Sequence, residues 1–198
     1  YELLVYSSYV AHHVKDRWGR SDAQVIDMPV RQFGVRAVLK TRTILSVGRF
    51  STTSNLKRQD DMLEAWRRLR PLLPDWRLVL AGGGSSASDH VRELQRLADE
   101  IGGAELVLDA TSETLERLYG EASIYWHAAG FGRRADDPAA AEHFGMSTIE
   151  AMSAGALIAV CMWHGRSTGV DTGGRPASLG AIWRAGVSAG PALLMPVF

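Results

Sequence analysis

Two hydrophobic patterns alternate along most of this chain. Short unbroken apolar runs such as Thr43 to Val47 (TILSV), WRLVLAGGG, ELVLD, SIYWHA and ALIAVC suit strands buried on both faces. Between them lie segments whose apolar positions recur at helical spacing. LKRQDDMLEAWRRLRPLL places Met62, Leu63, Trp66 and Leu69 on one helix face, with Pro71 and Pro74 as its stop. SDHVRELQRLADEIGG is amphipathic, with Ser88 as N-cap and Gly102 as C-cap. SETLERLYGEA and GMSTIEAMSAG read as two further helices. Upstream, residues 2–8 read as a strand, 9–18 as a helix and QVIDMPV as a second extended piece. Pro29 to Lys40 reads as a linker.

Repeated strand–helix units of this length predict an α/β fold, a Rossmann-like parallel sheet with helices on both faces. In such sheets ligands bind beyond the carboxyl ends of the strands. That rule selects the loops after Val47, Leu80, Leu108 and His127.

Composition narrows the classes. The 198 residues carry 22 Lys plus Arg against 22 Asp plus Glu. A formal net charge of +0 gives no basis for bulk binding to nucleic acid or an anionic membrane. The single cysteine, Cys161, excludes an intramolecular disulfide framework and sits in an apolar run that suits a core thiol. No stretch is apolar enough to read as a transmembrane helix. The sequence starts at Tyr1 without a methionine or signal peptide, so a fragment with a segment missing upstream is expected.

The chemistry concentrates in two loops. After TILSV comes GRFSTTSNLKRQ, where Gly48 permits close backbone approach, Arg49 offers a planar charged fork and Lys57 a mobile charge. Together they suit a diphosphate; solvated loop cations are the alternative. After SIYWHA, a long loop leads into EHFGMSTIE. A helix starting near Gly145 presents unpartnered amides to an anion, and Ser147 adds a hydroxyl. Glu142 precedes that start, and Glu150 lies about one and a half turns into the helix. Carboxylates flanking an anion site fit a nucleotide sugar, with hydroxyls at both ends and phosphates between; a capping carboxylate beside an exposed helix glutamate is the plainer alternative.

These segments carry a resemblance. ILSVGRF with Lys57, WRLVLAGGG, IYWHAAGFG, and EHFGMSTIEAMSAGA with its E-x7-E spacing resemble the C-terminal, donor-binding half of a GT-B glycosyltransferase of glycosyltransferase family four, and the WHAAGFG and EHFG segments resemble its mannosyltransferase-like members. The likeness spans roughly residues 1–161. It implies a retaining transferase that moves a hexose from a GDP- or UDP-linked sugar to an acceptor hydroxyl, without a metal or other cofactor. Arg49 and Lys57 would then contact the diphosphate and stabilise the leaving nucleoside diphosphate. Glu142 would hold the transferred sugar, Phe144, Gly145 and Met146 would present backbone to the donor, and Glu150 would bind the ribose. Gly48, His127 and Ser147 complete the expected donor site.

The resemblance also divides the chain. Residues 1–28 read as a remnant of an N-terminal acceptor domain, 29–40 as the interdomain linker and 41–161 as the donor-binding domain. Residues 162–198 depart from the family's pattern and read as a divergent or non-native tail. A nucleotide sugar is the implied partner, with an unknown acceptor (a glycan or lipid-linked glycan), and the expected location is cytoplasmic, peripheral to a membrane through the missing domain.

Two other readings stay open here. LVLAGGGSSA holds a G-x-G-x-x-A motif at Gly82, Gly84 and Ala87, with Asp109 ending the next strand, as an NAD(P)-binding Rossmann domain would. A non-catalytic nucleotide-sugar binding module would carry the same donor residues. The histidines His12, His13, His90, His127, His143 and His164 show no metal-ligand spacing.

Overall fold

The computed structural model describes residues 1–33, 39–52, 57–129 and 145–160. Its centre is a five-stranded, all-parallel sheet in the order β5-β4-β3-β6-β7, built from β3 (Thr41–Val47), β4 (Arg77–Gly82), β5 (Ala104–Leu108), β6 (Ala122–His127) and β7 (Leu157–Val160). Four helices connect or flank these strands: α2 (Gln59–Leu69), α3 (Asp89–Ile101), α4 (Ser112–Glu121) and α5 (Met146–Ser153). Upstream, β1 (Leu4–Val5) and β2 (Gln24–Val25) pair in parallel around α1 (Ser8–Trp18).

The inner strands β3, β4 and β6 bury both faces, and successive side chains divide between two cores. Ile44, Leu78, Leu80, Ile124 and Trp126 face α2 and α3, whose Met62, Leu63, Trp66, Leu69, Val91, Leu94 and Ala98 close that side. Leu45, Val79, Ala81 and Tyr125 face the other way, against Leu118 and Tyr119 of α4 and Ala151 of α5. The helical spacing read from the sequence is therefore the spacing of buried side chains. Trp66 is wholly buried and donates its indole N–H to the Gly102 carbonyl at 3.1 Å. Trp76 packs at the edge of the same cluster.

Helix ends follow local chemistry. Ser7 caps α1 by accepting the Val10 amide, and Thr111 caps α4 by accepting the Thr114 amide. Gly102 ends α3 at φ 74°, as expected. Ser88 stands at the start of α3, but its side chain makes no capping hydrogen bond there. Arg58 precedes α2 in the left-handed region, φ 56°, where a non-glycine residue is uncommon. Its Nε lies 2.6 Å from Asp61 Oδ2, an ion pair not aligned as a hydrogen bond. Burial pushes the Asp61 carboxyl above its ordinary value, with Arg58 opposing that shift.

The segment read as a linker is docked where it is described. Phe33 is buried, its ring 4.9 Å from that of Tyr119, and its amide donates to Ser153 Oγ at 3.1 Å. Arg31 lies over the Phe33 ring and pairs with Glu116 at 3.5 Å. Lys40 Nζ donates to the carbonyls of Ala154 (2.6 Å) and Tyr119 (3.3 Å), so one cation holds carbonyls on both α4 and the end of α5. Desolvation lowers the Lys40 pKa from its ordinary value. Among the described residues, no helix is long and apolar enough to cross a membrane.

Candidate functional site

The sheet order fixes where a ligand site belongs. From β3 the chain moves outward through β4 to β5, then returns to place β6 on the other side of β3. The connections leaving the carboxyl ends of β3 and β6 therefore diverge, and the switch point between them is the crevice that open α/β sheets use for ligands. The loop after β3 carries Gly48 and Arg49, and β6 ends at His127, 8% exposed. The described start of the one loop and the strand end before the other thus stand at the same edge of the sheet, on either side of the switch point.

Contacts that only glycine allows build the β3 wall. A Cβ on Gly48 would lie 2.6 Å from Lys57 Cγ, so the lysine stem crosses directly over this position. A Cβ on Gly82 would collide with the backbone carbonyl of Gly48, and one on Gly84 would lie 3.0 Å from the Phe50 side chain. Phe50 donates its amide to the Gly83 carbonyl at 2.9 Å, while Gly48 donates to Ala81. Gln59, buried at the start of α2, donates its side-chain amide to the Arg49 carbonyl at 3.0 Å and the Gly48 carbonyl at 3.4 Å. The segment from Gly48 to Phe50 is thereby fixed from behind, and the Arg49 side chain stays exposed.

The same contacts answer the dinucleotide motif. Gly82 is filled by the Gly48 backbone and Gly84 by Phe50, which are protein atoms rather than a pyrophosphate. Asp109, at φ 48°, accepts the Gly84 amide at 3.2 Å, so it closes the glycine turn. Helix α3 begins only at Asp89, after a separate turn, and does not open from the motif. The glycine run supports the β3 loop.

The opposite wall is α5. Gly145 stands just before it at φ 72°, and its carbonyl accepts the amides of Thr148 (2.9 Å) and Ile149 (3.2 Å). The amides of Met146 and Ser147 have no partner among the described residues, which leaves the helix start able to receive an anion. Glu150 is half-buried, and its Oε2 accepts the Tyr119 hydroxyl at 2.8 Å. That partner was not legible as a site residue: Tyr119 falls on the apolar stripe of α4 and reads as core. Burial, the neighbouring Tyr125, and the charge and hydrogen bond of Glu150 all push its phenol well above the ordinary tyrosine value, so it remains a donor.

Of the predicted site residues, Gly48, Arg49, Lys57, His127, Gly145, Met146, Ser147 and Glu150 are described, whereas Glu142 and Phe144 lie outside the described residues, as do His143, His164, Cys161 and the tail from 162. Gly48, Arg49 and Lys57 come together at the end of β3. Tyr125 donates to the Val47 carbonyl at 3.2 Å, and its ring lies 6.0 Å from that of Tyr119, so the β3 wall connects through the core to Glu150. Among the described residues, no group of three or more His, Cys, Asp or Glu side chains is placed to hold a metal ion.

Comparisons with known proteins agree with this fold. Among solved structures, a glycosyltransferase from Rickettsia africae aligns over 80% of this chain and 44% of its own, at TM-score 0.63 and 16% identity. Anabaena HepE, solved in complex with UDP and glucose, aligns over 79% and 43%, at TM-score 0.59 and 16% identity. The pneumococcal O-GlcNAc transferase GtfA, in complex with UDP and GlcNAc, aligns over 93% and 36%, at TM-score 0.58 and 15% identity. The chain thus spans less than half the length of each. These likenesses show the shared fold, the Rossmann-like arrangement of GT-B glycosyltransferases. No curated protein matches. Residues 31–165 match the family described as glycosyl transferases group 1, and the chain belongs to that family.

Proposed function

We propose that this chain is the donor-binding half of a retaining glycosyltransferase of family four, mannosyltransferase-like, which transfers a hexose from a nucleoside-diphosphate sugar to an acceptor hydroxyl. The observation that carries the reading is the crevice at the β3–β6 switch point, with a glycine-fitted loop bearing Arg49 and Lys57 on one wall and the start of α5 with Glu150 on the other. As the bond from the sugar's anomeric carbon to the phosphate breaks, negative charge gathers on the leaving diphosphate. Preorganised cations and helix amides stabilise that charge without reorganising at the moment of reaction. Arg49 and Lys57 take this role together with the amides of Met146 and Ser147. Glu150 accepts the ribose hydroxyls, and Glu142 holds the sugar. No metal is required by this arrangement of charges.

Residues 1–28 form the end of an acceptor-side domain in this reading. The exposed Tyr6, Tyr9, Trp18 and Val25 of that unit are then covered by the rest of that domain. The acceptor is a glycan or lipid-linked glycan, reached in the cytoplasm at a membrane face. UDP is the first donor nucleotide to try, because HepE and GtfA were each solved with it; GDP is the second.

Calorimetric titration of the chain with UDP, GDP, ADP and NAD, beside the variant Arg49→Ala/Lys57→Ala, tests the reading. Binding of one nucleoside diphosphate, weakened at least tenfold in the variant, is the expected result. NAD binding that the variant leaves untouched would overturn it.

A further inference from the structure

The two phenols beneath the crevice have polar tips that core packing alone does not require. Tyr119 is wholly buried, its ring set between Phe33 at 4.9 Å and Tyr125 at 6.0 Å. A phenylalanine would fill the same volume without bringing a hydroxyl that must find a partner. The partner that Tyr119 has is a carboxylate on the site helix, Glu150 Oε2 at 2.8 Å. Its backbone is fixed as well, since Lys40 Nζ donates to the Tyr119 carbonyl and to that of Ala154 just after α5. The second phenol, Tyr125 on β6, turns to the Val47 carbonyl instead.

We propose that Tyr119 is a positioning residue for ribose recognition. Its buried hydroxyl occupies one oxygen of Glu150 and fixes the carboxylate's rotamer before the donor arrives, so that the remaining acceptor sites meet the ribose hydroxyls in a set orientation. A glutamate on an exposed helix face would sample several rotamers, and binding would have to order it. A charge-assisted hydrogen bond from a permanently protonated donor removes that disorder. The inference rests on the assignment of Glu150 to the ribose, so its test separates the two.

The readout is the ratio of dissociation constants for 2′,3′-dideoxyuridine diphosphate and UDP, measured on the whole chain by saturation-transfer NMR titration, with melting temperatures recorded beside it. In the wild type this ratio is about 10 or more, the value of hydrogen bonds to a charged acceptor. Glu150→Ala brings it to about 1. Tyr119→Phe, which keeps the ring, lowers it at least threefold, and Tyr119→Met, which fills the space with a flexible chain, does the same. Glu150→Ala/Tyr119→Phe is no worse than Glu150→Ala alone. Tyr125→Phe, which removes the neighbouring phenol without touching Glu150, leaves the ratio as in the wild type.

A collapse in Glu150→Ala beside a wild-type ratio in Tyr119→Phe overturns the positioning role and leaves the ribose assignment standing. An equal loss in Tyr125→Phe overturns it too, because a general loosening of the core then explains the effect. An unchanged ratio in Glu150→Ala, or binding of neither UDP nor GDP by the wild type, overturns the ribose assignment itself and the inference with it; a wild type that takes GDP alone is read by the same ratio with the guanosine pair.

Discussion

The two faces of the central sheet are both buried, yet they are built differently. The face under α2 and α3 is filled by large side chains, with Trp66, Met62, Leu63 and Leu94 nearly or wholly inaccessible. The face under α4 and α5 mixes Phe33, Leu45, Val79 and Leu118 with small residues, Ala81, Ala122, Ala151, Ala154 and Ala156, and two phenols. Small residues let α5 sit close to the strands, and the phenols carry polar tips from the core to both walls of the crevice. One face thus supplies mainly hydrophobic stability, while the other also holds Glu150 and the end of β3 through hydrogen bonds.

Substitutions can break that comparison or sharpen it. The largest effect is expected from Trp66→Ala, which opens a void among close-packed side chains and removes the bond to the Gly102 carbonyl. Denaturant titration should show a loss of about 3–5 kcal/mol, while the folded fraction keeps its nucleotide preference. A changed preference would mean that the bulky face also shapes the site. Ala151→Leu is expected next. Overpacking beneath α5 should cost about 1–3 kcal/mol, and because Glu150 is the preceding residue, nucleotide affinity should fall by more than Trp66→Ala makes it fall. Equal affinities in the two variants would erase the distinction between the faces.

The smallest effect is expected on the outer surface of α2 and α3. There Arg67 pairs with Glu100, and Arg96 with Glu93 and Glu100. Hydrogen bonding by Arg96 holds the Glu93 carboxyl below its ordinary 4.5, and hydrogen bonding by Arg67 does the same for Glu100. A lowered folded value contributes stability above the unfolded value and loses it as pH falls through the folded one. Glu100→Gln should therefore flatten the acid limb of a melting-temperature profile below pH 4.5 slightly, and salt should hide the difference.

Much of this organisation was legible in the order of residues. The helix stripe at Met62, Leu63, Trp66 and Leu69 and the apolar strand runs express burial directly, and burial is what composition along a chain records best. The parallel sheet followed from the alternation of elements, whereas its strand order, and with it the switch point beside β3, did not. Three features were hidden for a common reason. Gln59 reads as an ordinary polar residue at a helix start, yet it is buried against the Arg49 carbonyl. Tyr119 carries no local mark of a polar contact, yet its hydroxyl donates to Glu150 Oε2 on α5. The run at Gly82 to Gly84 leaves a dinucleotide motif open as an alternative, yet it is a bed for the start of the β3 loop. Each depends on which long-range neighbour meets the side chain, and local spacing does not encode that.

The bed at Gly82 has a consequence for how sequence variation in this protein should be interpreted. A Cβ there would lie 2.1 Å from the backbone carbonyl oxygen of Gly48, so the obstacle to any side chain is main chain and no change elsewhere in side-chain identity relieves it. Gly48 and Gly84 face side chains, Lys57 and Phe50, that could shorten in compensation. A tally of tolerated substitutions would therefore rank Gly82 among the most invariant positions and let Gly48 and Gly84 drift in company with their partners. Invariance there would mark the meeting of two backbones, not the touch of a substrate.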